Sequence, residues 1–347
     1  FFILNCTVSF KKNSIIRKKI LAYYENNKRN LPWRTEQDNN QNPYFTLVSE
    51  IMLQQTQVKT AIPYFKKFIS KYPNLKSLSI AEEEDIMALW SGLGFYRRAK
   101  NIFKAKEIIK NQYNNILPKT FDQLIQLPGI GKSTAGAIMS IAYKIPTPIL
   151  DANVKRVIAR YNQIDLQKKS SLKDLWSFSK IYTPSNKIFE YTQGIMDIGA
   201  TICNIKKPKC NDCPLNKSCK TAFKDLTFTK KTKLKKSKKK IFFKLAHSNN
   251  SFLLFKKNEK SFWESLWTPY EDKDINAKNL FRNPLKSHKK NFNHALSHID
   301  LDITIEIFDY KTPFRVNTSL EHQWIKRSEI KNYGLPKPIK HIIEKHV

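Results

Sequence analysis

Glycine is scarce in this chain, with 8 residues among 347. Three of the eight lie in the segment LPGIGKSTAGAI at 127–138, which invites comparison with nucleotide-binding loops. A Walker A loop would need a glycine in place of Gln126, and a dinucleotide-binding fingerprint would need one in place of Thr134. The missing glycines therefore exclude both motifs from this segment.

Acidic residues are also few. The chain has 29 Asp and Glu against 62 Lys and Arg, a net charge of +33. A balance this basic suits a polyanionic partner, and nucleic acid is the commonest one. Mutational bias is the alternative source of part of this charge, because the chain is rich in Lys, Asn, Ile and Phe, as an AT-rich genome would produce.

Long apolar runs and a basic leader segment are absent, so we expect neither a transmembrane helix nor a signal peptide. Cysteine is limited to five residues, four of which lie between 203 and 219. Few, clustered cysteines argue against a disulfide framework. They suit a metal site in a reducing cytoplasm.

Two short helices around a tight turn are predicted over about 121–144. Thr120 has the form of a capping-box residue before the first helix. Gly129 and Gly131 carry no Cβ, so another molecule can approach the backbone closely there. Free N–H groups at successive helix ends and the charge of Lys132 favour an anion. The pattern predicts a helix-hairpin-helix that binds a nucleic-acid phosphate.

Two carboxylates are candidates for chemistry. Glu50 lies beside Ile51 near the start of a helix predicted over Pro43–Pro63. Partial desolvation there would raise its pKa and make it a proton donor. Asp151 stands just before another predicted helix. The alternatives are a Glu favoured by the helix dipole, and a plain N-cap Asp behind an ordinary helix-turn-helix.

Two loops show further functional patterns. Gly92 and Gly94 bracket Leu93 in a segment followed by aromatic residues and arginines, which can push an apolar wedge into a base stack. Four cysteines are spaced C-x6-C-x2-C-x5-C and suit a [4Fe–4S] cluster. Structural zinc is the alternative, although zinc sites usually use two close pairs. The cysteines are Cys203, Cys210, Cys213 and Cys219.

The fold class predicted is multidomain, α followed by α+β. An all-helical domain is expected over 1–225, and a lysine-rich linker over 226–240. From 241 to 347 the pattern changes to strands and a final helix, because apolar residues from Leu301 to Ile307 alternate with polar ones.

Five ordered motifs then point to a family. SEIMLQQTQV, GLGFYRRA, LPGIGKSTAGAI, PILDANVKRV and the cysteine segment together resemble the MutY-type adenine DNA glycosylases. These belong to the helix-hairpin-helix, iron–sulfur glycosylase superfamily that also contains endonuclease III. The resemblance covers nearly the whole chain and is strongest up to Cys219.

The resemblance implies removal of adenine mispaired with 8-oxoguanine or guanine. Glu50 is then the acid that protonates adenine, and Asp151 stabilises or traps the cationic sugar. Asn153 and Ser133 support this site. Bifunctional relatives place a Schiff-base lysine where Ser133 stands, so we expect a monofunctional glycosylase that leaves an abasic site.

Further residues are implied as contacts of double-stranded DNA. We expect the protein to act as a monomer with one [4Fe–4S] cluster, in the cytoplasm and on the nucleoid, without a membrane partner. The residues expected to contact the extruded adenine, to fill its place in the stack or to hold the strand are Trp33, Arg34, Gln55, Thr56, Leu93, Phe95, Gly129, Gly131 and Lys132.

The last domain resembles the family's Nudix-like lesion-recognition domain, but it lacks a Nudix pyrophosphatase box. Ser297 and His298 stand where the family carries a Phe-Ser-His loop against 8-oxoguanine, with Leu296 replacing the Phe. Phe95 replaces the usual Tyr. Two other functions are considered: an endonuclease III-like glycosylase/lyase, disfavoured by Ser133, and a catalytically decayed iron–sulfur DNA-binding protein, disfavoured by the retained carboxylates and cysteines.

Overall fold

A computed structural model describes residues 2–34, 36–37, 40–168, 170–224, 236–258, 262–272, 280–296 and 298–345. By its internal contacts the chain divides into two compact units. The first comprises Phe1–Ser79 and Lys104–Thr232, and the second comprises Ile80–Phe103 and Lys233–Val347. None of the helices in these ranges is long and apolar enough to cross a membrane.

The elements are named in chain order. The helices are α1 (Phe2–Asn27), α2 (Pro43–Leu53), α3 (Val58–Lys71), α4 (Leu75–Leu78), α5 (Glu83–Trp90), α6 (Arg97–Tyr113), α7 (Phe121–Gln126), α8 (Lys132–Ile141), α9 (Ala152–Asn162), α10 (Ser171–Tyr182), α11 (Ile188–Asp197) and α12 (Lys337–Lys345). The strands are β1 (Glu36–Gln37), β2 (Asn40–Gln41), β3 (Ser237–Ser248), β4 (Ser251–Lys256), β5 (Trp267–Thr268), β6 (Tyr270–Glu271), β7 (Lys286–Ala295), β8 (Ile299–Asp309) and β9 (His322–Lys326).

The first unit is helical, as predicted, apart from the two-residue ladder of β1 and β2. One hydrophobic core joins α1, α9, α10 and α11 through fully buried aliphatic side chains. Burial of each such side chain stabilises the unit by about 1.5–3 kcal/mol before entropy is counted. Its central members are Ile16, Ile20, Ile158, Leu175 and Ile195.

The helix predicted over Pro43–Pro63 is two helices. The side chain of Asn42 accepts hydrogen bonds from the first N–H groups of α2, and Pro43 suits the first turn. The helix ends at Leu53, and Gln55 has a φ of 59°, in the left-handed region. Glu50 therefore lies in the last turn of α2, where the helix dipole does not favour a carboxylate.

The predicted helix-hairpin-helix is α7 and α8. The Thr120 side chain accepts from the Gln123 N–H as the expected cap. Gly129 takes a φ of +84°, which a glycine adopts without strain. Gly136 of α8 packs on the next loop so closely that a Cβ would lie 2.5 Å from the Pro148 carbonyl oxygen. This contact fixes the loop that leads into Asp151.

The second unit contains a mixed sheet of order β5-β4-β3-β8-β7, with β6 paired to β3 and β9 to β4. The pair β3–β8 is parallel, and the other pairs are antiparallel. The predicted alternation in β8 is present, because Leu301, Ile303, Ile305 and Ile307 are all buried.

Two features differ from the expected domain plan. Strand β3 begins at Ser237, inside the predicted linker, because its lysines pair in register with β8 while their side chains remain exposed. The rest of that linker, up to residue 235, lies outside the described residues. The segment Ile80–Phe103 groups by contacts with the second unit, although it precedes 225 in the chain. The boundary at 225 stays a prediction.

Candidate functional site

A pocket in the first unit is formed by α2, the segment before β1, and α11. It opens to solvent, and its empty space, part of it open solvent, is about 350 Å³. Half of its lining residues are polar or charged, so a ligand there can be held by hydrogen bonds as well as by apolar contact. The lining residues are Arg29, Leu31, Trp33, Arg34, Thr46, Ser49, Glu50, Leu53, Val58, Ile141, Gln193 and Met196.

Glu50 is the acidic side chain of this pocket. Burial raises the pKa of its carboxyl to about 8, and repulsion by Asp151 adds to the rise, while Arg34 opposes it. A carboxyl with this pKa is mostly protonated at neutral pH, so it can act as a proton donor. The structure therefore places the two predicted carboxylates close enough to interact.

Asp151 is both a helix cap and a site residue. Its Oδ1 accepts from the Val154 N–H at 2.8 Å, and its Oδ2 accepts from Asn153 Nδ2 at 3.1 Å. Burial raises the pKa of Asp151, and these hydrogen bonds and the charge of Arg156 oppose the rise. The N-cap predicted as the alternative is thus real, and it orients the carboxylate.

Ser133 lies at the start of α8 and supports the same loop. Its Oγ accepts a hydrogen bond from the Leu150 N–H at 3.0 Å, one residue before Asp151. The Ser133 hydroxyl thus links the helix-hairpin-helix to the loop that carries Asp151. A serine offers no amine for a Schiff base.

Arg34 is held by an acid that the sequence did not single out. Its two terminal nitrogens donate to the Asp197 carboxylate at 2.7 and 2.9 Å, and Arg29 Nε donates at 2.7 Å. Asp197 is fully buried. Its charge offsets two guanidinium groups beside Glu50. The missed signal is a charged residue in the apolar run IMDIGA.

Gln193 is the second missed residue. It is buried in α11, lines the pocket, and its amide makes no hydrogen bond with any other residue that the structure describes. Its amide atoms are not sealed from solvent, so they are open to a ligand in the pocket. Trp33, which was predicted as a site residue, gives the pocket an apolar wall. It is buried and packs edge-to-face on Phe65, with ring centroids 5.3 Å apart.

The break between α2 and α3 adjoins the hairpin. Gln54 Nε2 donates to the Gly129 carbonyl at 3.1 Å, so a residue that was not predicted fixes this junction. Gln55 is exposed and Thr56 half-buried. Gly131 and Lys132 are exposed, and no atom lies within 4 Å of a Cβ built at Gly131. This face therefore leaves room for an external ligand.

The remaining predicted DNA contacts lie in the second unit. Leu93 is buried, whereas Phe95 is 43% exposed. Phe95 is thus the better candidate for the predicted wedge. His298 is exposed beyond the end of β7, and Ser297 lies outside the described residues.

The four clustered cysteines line one cavity of about 340 Å³ and form no disulfide. Among the described residues, no three Cys, His, Asp or Glu side chains are arranged to hold a single metal ion. Burial raises the pKa of Cys213 to about 11, and the neighbouring thiols add to the rise. Four thiolates brought together here would repel one another, so they need a cationic group among them.

Two arginines of α9 connect this cavity to the carboxylate site. Arg160 donates to Cys203 Sγ at 3.4 Å and to the Asn204 carbonyl at 2.7 Å. Arg156 donates to the Cys203 carbonyl at 2.6 Å and to Asn153 Oδ1 at 2.9 Å.

Two family models match the chain. A model described as "HhH-GPD superfamily base excision DNA repair protein" matches residues 48–180, and a NUDIX domain model matches 242–345. Among solved structures, a thermostable thymine-DNA glycosylase is 29% identical and has a TM-score of 0.55. That match covers 60% of this chain and 96% of the other. An endonuclease III–DNA covalent intermediate, 22% identical with a TM-score of 0.51 over 60% of this chain and 95% of the other, shares the fold.

Curated relatives extend the likeness to the full length. The adenine DNA glycosylase of Buchnera aphidicola from Schizaphis graminum is 41% identical over 93% of this chain and 95% of its own. The human adenine DNA glycosylase is 36% identical over 59% of this chain and 39% of its own. The chain therefore belongs to the adenine DNA glycosylases, enzymes of the helix-hairpin-helix superfamily that hydrolyse N-glycosyl bonds in base excision repair.

Proposed function

We propose that this protein removes adenine mispaired with 8-oxoguanine or guanine in double-stranded DNA and leaves an abasic site. One observation carries the proposal: the Glu50 carboxyl, with a pKa of about 8, faces the charge of Asp151 at a pocket. Two neighbouring carboxyl groups, one of which keeps its proton near neutral pH, match the needs of N-glycosidic cleavage.

The first step is departure of adenine. The base must leave the stack to enter a pocket of this kind. The bond between the sugar C1′ and the base nitrogen breaks, and its electron pair moves to adenine. Glu50 transfers its proton to a ring nitrogen, so that neutral adenine leaves.

The second step is capture of the sugar. The cationic C1′ centre is stabilised by the ionised Asp151, which Asn153 and the Val154 N–H hold in place. Water then adds to C1′ and gives up a proton to the Glu50 carboxylate, which restores the starting state. Ser133 provides no amine for attack on the sugar, so the strand remains intact.

Selection of adenine is a role for Gln193. An amide presents one donor and one acceptor side by side, and adenine offers the matching pair on its edge, as it does to Gln in DNA grooves. Arg34 and Trp33 complete the wall, with the Arg34 guanidinium fixed by Asp197.

Exposed side chains and backbone groups are the candidates for contacts with the rest of the duplex. The free N–H groups at the start of α8, with Gly131 and Lys132, bind a backbone phosphate. Gln55 and Thr56 and the exposed Phe95 ring fill the space that adenine vacates. His298 and its neighbour Ser297 contact the opposite base. We expect a monomer that acts on the chromosome in the cytoplasm.

The cysteine cavity fits a [4Fe–4S] cluster, with Cys203, Cys210, Cys213 and Cys219 as its ligands. When bound, the cluster supplies four iron–thiolate bonds that fix the shape of the loop. Three exposed lysines of the same loop are then held toward solvent, where a phosphate backbone can meet them. They are Lys206, Lys207 and Lys209.

The test is adenine release under single-turnover conditions from duplexes with adenine opposite 8-oxoguanine, guanine or thymine. We expect release opposite the two purines and little opposite thymine. We also expect no strand cleavage until heat or alkali is applied. Cleavage without such treatment would instead support a lyase of the endonuclease III type.

A further inference from the structure

The segment Ser91–Tyr96, called the wedge loop below, holds an exposed ring on a strained backbone. Phe95 has a φ of 50°, in the left-handed region that bulky residues rarely adopt, and its ring is 43% exposed. Such a conformation is strained and persists only where the surroundings impose it. The groups that impose it therefore determine where the ring points.

Part of the constraint comes from residues that flank the loop in the sequence. Arg98 donates to the Gly94 carbonyl at 3.1 Å, and Trp90 Nε1 donates to the same oxygen at 3.2 Å. The guanidinium of Arg98 also lies 5.4 Å from the centre of the Phe95 ring. These contacts hold the base of the loop but leave its opposite side to other partners.

That opposite side is attached to the irregular segment that precedes α12, within the same compact unit. Ser91 Oγ and Tyr96 Oη each donate to the Leu335 carbonyl at 3.0 Å, and the Gly92 N–H donates to Tyr96 Oη at 3.0 Å. A single carbonyl 239 positions away from Tyr96 thus joins both ends of the wedge loop.

The carbonyl itself is held rigidly. Glu84 of α5 accepts from the Gly334 N–H at 3.2 Å and from Trp267 Nε1 at 2.9 Å. Leu335 is fully buried, and a Cβ at Gly334 would lie 2.9 Å from the Cβ of Met87. The segment Gly334–Leu335 is therefore fixed against α5, so the Leu335 carbonyl is held at the wedge loop.

We propose that Tyr96 and Ser91 are positioning residues for base extrusion, which set the Phe95 ring through their shared bond to the Leu335 carbonyl. This inference rests on the function proposed above, in which Phe95 fills the space left by the adenine. The C-terminal part of the chain thereby fixes Phe95, the side chain that opens the base stack.

The test compares Tyr96→Phe with Tyr182→Phe in the full-length protein. Tyr182 is a matched control because its Oη also donates to a carbonyl oxygen, that of the Asn162 side chain, at 2.8 Å. We expect Tyr96→Phe to lower the single-turnover rate of adenine release opposite 8-oxoguanine at least about tenfold, because the bonds of the hydroxyl to Leu335 and Gly92 are both lost. Tyr182→Phe should stay within about twofold of the wild type.

A double-mutant cycle separates positioning from a general loss of stability. If Tyr96 acts through the ring, Tyr96→Phe should have no further effect in a Phe95→Ala background. Additive effects, or a wild-type rate for Tyr96→Phe, would overturn the inference. If Tyr96→Phe unfolds, Ser91→Ala takes its place in the same cycle, with the same criteria.

A second readout does not depend on excision. A duplex with 2-aminopurine beside the 8-oxoguanine reports unstacking on binding to Glu50→Gln protein. We expect a fluorescence increase that Tyr96→Phe reduces and Tyr182→Phe leaves intact. An increase unaffected by Tyr96→Phe overturns the inference. Failure of the wild type to release adenine would count against the proposed function instead, and this fluorescence comparison would still decide the role of Tyr96.

Discussion

Asn153 Nδ2 donates a hydrogen bond to Oδ2 of Asp151 at a distance of 3.1 Å, and this bond orients the carboxylate that faces Glu50. The asparagine is itself confined. Arg156 donates to its Oδ1 at 2.9 Å, and Gly199 packs so closely that a Cβ there would lie 2.6 Å from the Cβ of Asn153. The Asp151 carboxylate is therefore held by a chain of contacts that ends at the cysteine cavity.

Replacing this asparagine should affect rate and pH dependence together. Asn153→Ala removes a hydrogen bond that lowers the pKa of Asp151, so that pKa should rise. We expect the acid limb of the pH–rate profile to move to higher pH, and the maximal rate to fall about tenfold. Asn162→Ala, at the other end of α9, is the control. An unchanged acid limb would contradict the role of the bond.

Removing the proton donor should stabilise the fold. Because the pKa of Glu50 is about 8 when folded and 4.5 ordinarily, the folded state retains a proton that the unfolded state releases. Stability is therefore lost as pH rises between those values. Glu50→Gln should raise the free energy of unfolding at pH 7 by about 3 kcal/mol, a gain that vanishes near the lower pKa. Denaturant titrations at both ends of this window measure it, and a pH-independent difference would argue against the raised pKa.

The buried Asp197 carboxylate should also control the pKa of Glu50. Asp197→Asn leaves two guanidinium groups without their negative partner beside Glu50. Uncompensated positive charge favours the ionised carboxyl, so the alkaline limb of the rate profile should move to lower pH. Loss of a buried partner should also cost about 3–5 kcal/mol of stability. The exposed Asp174→Asn serves as the control. An alkaline limb at the wild-type position would show that Asp197 acts only on folding.

Loss of one cysteine ligand should change the visible spectrum, the stability and the DNA affinity of the protein. Cys213→Ser should abolish the broad visible absorbance of an iron–sulfur centre and lower the melting temperature. The protein should then lose affinity for duplex DNA, because the loop that presents Lys206 is no longer fixed. Iron and sulfide analysis of the purified wild type distinguishes a cluster from zinc. A full complement of zinc without sulfide would contradict the cluster.

Much of the site was predictable because its motifs are local. The hairpin at Gly129, the cap at Asp151 and the cysteine spacing each depend on neighbours within a few positions. The break after Leu53 was missed because apolar residues continue at helical spacing across it, and neither glycine nor proline marks Gln55.

The residues that sequence analysis missed act over long separations. Asp197 contacts Arg34 from 163 positions away, and Arg156 reaches the Cys203 carbonyl 47 positions on. No local pattern encodes such pairs, because they arise only when α11 and the cysteine loop pack beside the pocket. The hydrogen bonds from the wedge loop to the Leu335 carbonyl are another contact between residues far apart in the chain.

The most direct measurement is the pH dependence of adenine release opposite 8-oxoguanine by the wild type, Glu50→Gln and the exposed control Glu25→Gln. The wild type and Glu25→Gln should release adenine at a rate that falls above about pH 8, where Glu50 loses its proton. Glu50→Gln should be at least about 100-fold slower at every pH. A Glu50→Gln protein that releases adenine at the wild-type rate would contradict the account.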